Sequence, residues 1–405
     1  MRVLVWQWGR RGAGPRFAAG LARAIAGVPG HAGLLSLSEG AEILRPAAKP
    51  QDVPPQDALP QDAPPQDALP QDAPPQDAPP QDAPPRCDLP MRTYAGLAGF
   101  AGRMASAPLL VPRLAAGVRA LRLDAAVCAM PAPMDAVMVG ALRRVGVPYA
   151  VVVHDADPHP GDVFPLQMVL QRRLVRGAAG LVTLSGHVAE RLRQQGVVGG
   201  RRLLVASLPP LGYGPPPPPP FAHGGGLRLL SFGRLLPYKG LDLLADGLAL
   251  LGPRQGLEVR VVGSGPEGPE LDALRRLPGV RVENRWVPED EVGALLAWSD
   301  ALVLSHREAS QSGVAAAAVA AGRRLVATGV GGLTEQLAGE PLARLCEPTA
   351  RGLADALDAL LREAHAAAKP RADAATAAPR PADSGAVWHR LARAVLDELR
   401  AVAAR

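Results

Sequence analysis

The chain has 405 residues, 48% of them apolar and 20% charged, with a formal net charge of +6. That length exceeds what one core usually serves, so two domains are expected, and the apolar fraction is ample for both. Aromatic residues make up only 3%, which argues against a stacking platform for nucleic acid. Cys87, Cys128 and Cys346 are isolated and odd in number; they match no metal-ligand spacing and point to a reducing, cytoplasmic compartment. The opening apolar run is too short for a signal peptide, and no uncharged apolar span of about 18 residues predicts a transmembrane helix.

In chain order, Arg2–Trp8 reads as a strand, Gly9–Gly14 as a loop, and Pro15–Ala26 as a helix. Seven Pro-Gln-Asp pentapeptides then fill Pro50 to Pro84; such a tract cannot bury a core and decorates the first domain as an insert over about 46–90. Helices follow near Tyr94–Met104 and Pro112–Leu121, then alternating strands and helices: Ala125–Met130, Met134–Val145, Tyr149–Val153, Leu166–Arg176, Gly180–Leu184, Gly186–Gln194 and Arg202–Ala206. This alternation is that of a parallel sheet covered by helices. The proline run within 214–226 is a stiff linker, so the first domain spans 1–213. Strands at Leu227–Phe232, Val259–Val262, Val280–Asn284, Ala301–Leu304, Arg324–Thr328 and Ala343–Cys346 build a second domain over 227–365. A Pro/Ala-rich segment, 366–384, leads to a last helix, 385–403, that could cross back to the first domain.

Loops at the carboxyl ends of parallel strands line the ligand crevice. Here they carry Gly233-Arg234 and Lys239-Gly240, a Gly263/Gly265 turn, and Glu308 beside Ser312-Gly313-Val314. Arg234 and Lys239 supply a bidentate fork and a mobile point charge, which together suit a diphosphate. The chain has only three lysines against many arginines, so a lysine kept in a Gly-flanked turn points to a role. Gly263–Gly268 matches a dinucleotide fingerprint, but it lies in mid-chain and Pro266 removes a donor; a tight turn beside a ligand is the expectation. The N–H groups of Ser312, Gly313 and Val314, opening a small-residue helix, could hold a phosphate. The stretch His154-Asp155-Ala156-Asp157-Pro158-His159 has the composition of a metal cluster; because the cations already answer a diphosphate, a loop shaping the acceptor side is expected instead.

The motifs GRLLPYKG, VVGSGP, SHREASQSGV and ATGVGGLTE resemble, in order and spacing, the retaining glycosyltransferases of family 4. The resemblance covers Leu227–Leu361 strongly and the first half more weakly, through Gly12-Ala13-Gly14 and the stretch after Val153. It implies the α/β GT-B fold, two facing Rossmann-like domains with a nucleotide-diphosphate sugar bound mainly to the second. It further implies that Arg234 and Lys239 assist the leaving diphosphate without metal or cofactor, and that Glu308 holds the donor sugar. Ser312, Gly313 and Val314 would contact the phosphates, Trp286 and Val287 would seat the nucleobase, His154 would lie near the reacting centre, and Gly12 and Gly14 would approach the diphosphate from the opposite side. The family's second glutamate should fall near Ala316 or Ala317, where this chain has alanine.

These readings imply a glycosyltransferase acting with retention on an unknown lipid-linked or saccharide acceptor in cell-surface polysaccharide or glycolipid synthesis. No nucleic-acid partner is expected. Between Arg86 and Arg202, arginines outnumber acidic residues about two to one, and Gly102–Leu123 is apolar and punctuated by arginine; both suit contact with an anionic membrane face. The rival readings are a non-catalytic scaffold or regulatory relative, a GT-B sugar-nucleotide epimerase and, furthest from the motifs, a dehydrogenase.

Overall fold

A computed structural model describes residues 1–45, 84–158, 160, 165–221, 223, 226–367 and 384–403. The Pro-Gln-Asp tract and most of the Pro/Ala-rich segment lie outside the described residues. Buried apolar runs and Gly-marked turns produce two α/β units, each around one parallel sheet.

The first unit runs β1 (Arg2–Gln7), α1 (Ala13–Ala26), β2 (Ala32–Leu37), α2 (Gly96–Ala105), α3 (Ala107–Ala120), β3 (Ala125–Cys128), α4 (Asp135–Val145), β4 (Tyr149–Val153), α5 (Pro165–Gly177), β5 (Gly180–Thr183), α6 (Gly186–Gln194) and β6 (Leu203–Val205). Its strands lie in the order β2-β1-β3-β4-β5-β6. The second runs β7 (Leu227–Phe232), α7 (Leu241–Leu251), β8 (Leu257–Gly263), α8 (Pro269–Arg275), β9 (Val280–Asn284), α9 (Val292–Trp298), β10 (Ala301–Leu304), α10 (Gly313–Ala320), β11 (Arg324–Thr328), α11 (Gly331–Leu337), β12 (Ala343–Cys346) and α12 (Ala350–Ala367). Its order, β12-β11-β10-β7-β8-β9, is that of a doubly wound dinucleotide-type sheet.

Both orders reverse at the first strand of the unit. β1 lies between β2 and β3, and β7 between β8 and β10. Chain direction switches sides there, and a crevice opens beyond the carboxyl ends of those strands. The loops after β1, β7 and β10 carry Gly12, Arg234, Lys239 and Glu308, so topology gathers the motif residues at the two switch points.

The final helix, α13 (Ser384–Ala403), packs on the first unit. Leu391, Ala392, Val395, Leu396 and Leu399 join Phe17, Leu21 and Ile25 of α1 in one buried cluster. Trp388 stacks tilted on Phe17, 5.6 Å between centroids, and its indole N–H donates to the Pro210 carbonyl at 3.0 Å. The chain therefore leaves the first unit, builds the second and returns.

Two local findings differ from the sequence expectation. β2 was not anticipated: AGLLSL has little alternation, and what makes it a strand is full pairing with β1 and burial of Leu35 and Leu37. The helix expected to start at Pro112 starts at Ala107 and keeps Pro112 inside it.

Leu399 is fully buried in the α1–α13 seam. We expect Leu399→Ala to cost about 2–4 kcal/mol and exposed Arg393→Ala less than about 0.5 kcal/mol. Chemical denaturation followed by Trp fluorescence checks both.

Candidate active site

The loop after β7 turns through Gly233 and Arg234 into a short 3-10 turn, Pro237–Lys239. Gly240 follows with φ +63°, and a Cβ there would sit 2.1 Å from the Ser305 carbonyl oxygen. Only glycine lets the β7 loop lie on the β10 loop at this point. That contact aims Lys239 into the crevice between them. Its Nζ lies 2.8 Å from His306 Nε2. Arg234 donates to the Tyr238 hydroxyl at 3.0 Å, and both cations sit over the Tyr238 ring, at 5.4 and 5.1 Å from its centroid. Desolvation of the ammonium pushes Lys239 down to about 7; Arg234 adds to that shift, and Asp155, reaching across from the first unit, opposes it.

Asp155 thus faces the cations, whereas Asp157 is held by Arg191 and Gln195, each at 2.8 Å. The two carboxylates diverge. Among the described residues no three His, Cys, Asp or Glu side chains converge on a metal-sized site; His159 lies outside the described residues.

Two helix N-termini meet over this crevice. α1 opens at Gly12, which has φ +77° and serves as its N-cap, and α10 opens at Ser312. A Cβ on Gly313 would come 3.2 Å from the Ala13 Cβ, so the two helix ends face each other at close range. The first-turn N–H groups of α10 are not equivalent. Ser312 Oγ accepts from Ala315 N at 3.2 Å, and the Ser312 N–H is taken by Gln336 Oε1 at 2.7 Å. A phosphate at this end would therefore meet Gly313 and Val314 rather than Ser312. On the opposite helix, a Cβ on Gly14 would sit 3.0 Å from Met130 Sδ.

Gly263 and Gly265 shape the site from behind. A Cβ on either would lie 1.7 Å from Gly233 O or 2.0 Å from Leu235 O. Their absence of side chain lets the β8 loop pack under the arginine loop.

Glu308 is exposed in the β10–α10 loop and lines a cleft with Asp157, His187 and Arg191 of the first unit. His154 sits deeper, 5% exposed, with Nε2 2.8 Å from the Ala129 carbonyl oxygen and its ring edge-on to Phe17. Burial lowers its pKa and so disfavours the charged ring in the wall of the first unit.

At the far end, Val287 is buried in the second unit, while the Trp286 N–H donates to Glu42 of the first at 3.1 Å. Arg11 lies over the Trp286 ring at 5.0 Å and 3.3 Å from Glu42. Beside them Arg16 bonds Glu289 at 2.6 Å and stacks over Tyr213 at 4.3 Å. Ala316 is buried and its carbonyl accepts from Leu211 N at 3.1 Å. The carboxylates at this end are therefore Glu42 and Glu289, which sequence reading missed. A further tie comes from Glu335, whose carboxylate accepts from Gly186 N at 2.6 Å and His187 N at 2.8 Å, capping α6 from the other unit.

Two facing sheets of this topology, with a crevice between their switch points, are the GT-B fold. Residues 226–363 match the family model described as glycosyl transferases group 1, and residues 58–207 the one described as glycosyl transferase 4-like domain. A D-inositol 3-phosphate glycosyltransferase of Jonesia denitrificans is 36% identical over 117 residues, 26% of this chain and 28% of that protein. Among solved structures, Anabaena HepE in complex with UDP and glucose aligns over 98% of this chain and all of its own, with TM-score 0.61 and 15% identity. Sucrose-phosphate synthase of Thermosynechococcus elongatus aligns over 99% and 94%, with TM-score 0.54 and 14% identity. A putative UDP-N-acetylglucosamine 2-epimerase of Listeria monocytogenes aligns over 96% and 94%, with TM-score 0.52 and 13% identity. The chain belongs to the group 1, family-4-like glycosyltransferases.

Gly240→Ala should strain the left-handed turn and push on Ser305, destabilising the second unit by about 1–3 kcal/mol. Denaturant midpoints of wild type and variant, compared at equal slope, test this.

Proposed function

We propose that the protein transfers a glycosyl group from a nucleotide-diphosphate sugar to an acceptor. The observation that carries this reading is the convergence of Arg234, Lys239 and the N-termini of α1 and α10 on one crevice. When the anomeric C–O bond breaks, its electron pair leaves with the diphosphate. Charge developing there is stabilised by donors already in place, at little reorganisation cost. Asp155 opposes the desolvation of Lys239 and keeps part of its charge available. Glu308 is placed to accept hydrogen bonds from sugar hydroxyls, and Trp286 marks the nucleoside end. Retention at the anomeric carbon is supported by the family resemblance.

The acceptor is a lipid-linked or saccharide intermediate, met at the inner face of the plasma membrane. Surface chemistry of α2 and α3 supports this. Leu97 and Leu109 are 73% and 67% exposed. From Arg92 to Leu123 the chain carries Arg92, Arg103, Arg113, Arg119 and Arg122 and no acidic residue. Exposed leucines among arginines suit shallow insertion into an anionic bilayer. No helix among the described residues is long and apolar enough to cross a membrane.

A non-catalytic role draws on one observation, the buried alanines at 316 and 317 where the family resemblance leads to a carboxylate. An epimerase would change the donor with no acceptor present.

Two experiments test the proposal. A panel of sugar nucleotides incubated with the protein should release nucleoside diphosphate slowly from one of them. Lys239→Ala and Glu308→Ala should each cut that release by about a hundredfold. Release from none supports the scaffold reading, and an isomerised sugar nucleotide supports the epimerase. Separately, wild type should co-sediment with phosphatidylglycerol vesicles at low salt and be freed at high salt. Leu97→Glu with Leu109→Glu should abolish co-sedimentation; binding that survives the pair would place any membrane contact elsewhere.

A further inference from the structure

A nucleoside diphosphate seated as proposed runs from the N-terminus of α10, at Gly313 and Val314, to Trp286. Its ribose lies between those two ends. Ribose brings two neighbouring hydroxyls, and in a closed crevice each needs an acceptor. One turn of helix separates Gly313 from Ala316 and Ala317, and Ala315, Ala316, Ala317 and Ala318 are all buried apolar residues. A side-chain acceptor for the ribose therefore has to come from a neighbouring element.

A connected set of contacts leads from Ala316 to such a group. The Ala316 carbonyl accepts from Leu211 N at 3.1 Å, and the carbonyl of the next residue, Gly212, accepts from Arg16 Nη1. The Arg16 guanidinium lies over the Tyr213 ring, 4.3 Å from its centroid, and donates through Nε to Glu289 Oε1 at 2.6 Å. Glu289 follows Trp286 in the β9–α9 loop, so it belongs to the unit that also presents the phosphate-facing end of α10. Its side chain is 11% exposed. Burial pushes its carboxyl up, the Arg16 charge opposes that, and neighbouring Glu42 adds to it. A carboxylate has about four acceptor sites on its two oxygens; the bond from Arg16 fixes the group through one of them. Glu42, the other carboxylate at this end, belongs to the first unit, and its Oε1 is engaged by the Trp286 N–H and Arg11.

We propose that Glu289 recognises the ribose of the donor: its carboxylate accepts hydrogen bonds from the ribose hydroxyls and makes the site selective for ribonucleotides over their dideoxy counterparts. Because Trp286 and Glu289 share one loop, base and ribose are held by the same unit and stay in register when the two units move. The inference rests on the nucleotide-sugar reading of the crevice.

Isothermal titration of the full chain with UDP and with 2′,3′-dideoxy-UDP tests this. GDP or ADP with its dideoxy analogue replaces the pair if the base differs. Wild type should bind the ribonucleotide at least about tenfold more tightly, as a hydrogen bond to a charged group allows. Glu289→Ala should bring that ratio below about threefold by weakening the ribonucleotide alone. Glu289→Gln, which keeps the shape without the charge, should lower it as well. Loss of the Arg16 ion pair, or loosening of the two units, weakens both ligands alike and leaves the ratio unchanged, so the ratio isolates ribose recognition from a structural role. No preference in wild type would overturn the inference. So would a preference that survives in Glu289→Ala, one that keeps its full size in Glu289→Gln, or one that falls only in Glu42→Ala. If neither ligand binds wild type, the nucleotide-sugar reading itself fails and takes the inference with it.

Discussion

The arrangement depends on gathering positive potential where two chains of backbone dipoles end. Two helix N-termini, an arginine and a lysine converge on one crevice, and the carboxylate of Asp155 in the first unit favours the charge on Lys239. Desolvation, with a further push from Arg234, brings the Lys239 ammonium down to about 7. Such an arrangement suits a multiply charged anion. The cost of assembling it is met by the sheets, whose buried β1 and β10 runs position the loops.

The units are joined by polar contacts that surround the crevice. Arg16–Glu289 and Trp286–Glu42 close one end, and Glu335 on the α6 N-terminus closes the other. α13 adds a covalent tether and an apolar seam on the first unit. Contacts of this polar kind hold a geometry while leaving room for relative motion. They place Glu308 of one unit opposite His187 and Arg191 of the other.

Much of this was legible in the sequence, and for a definable reason. Arg234, Lys239, Glu308 and the glycines each follow an apolar strand and precede a helix, so local pattern alone assigns them to the crevice. What escaped was non-local. The partners Trp286–Glu42 and Arg16–Glu289 are 244 and 273 residues apart, and no spacing rule links them. Asp155 and Asp157 stand two residues apart, but the loop after β4 delivers their carboxylates to different partners. The Ser312 N–H was read as phosphate-facing, yet Gln336, 24 residues on, has taken it. β2 was missed because its strand character comes from pairing with β1 rather than from its own alternation.

The central claim is that the crevice recognises a diphosphate, and thermal unfolding with a matched ligand pair tests it most directly. A nucleoside diphosphate and its parent nucleoside differ only in the charged group. At about a hundredfold excess over its dissociation constant, a ligand stabilises the native state by roughly 2.7 kcal/mol. Wild type should shift upward with the diphosphate and far less with the nucleoside, and the combined Arg234→Ala, Lys239→Ala variant should lose the difference. Equal shifts with both ligands, or a difference that survives in the variant, would contradict the account.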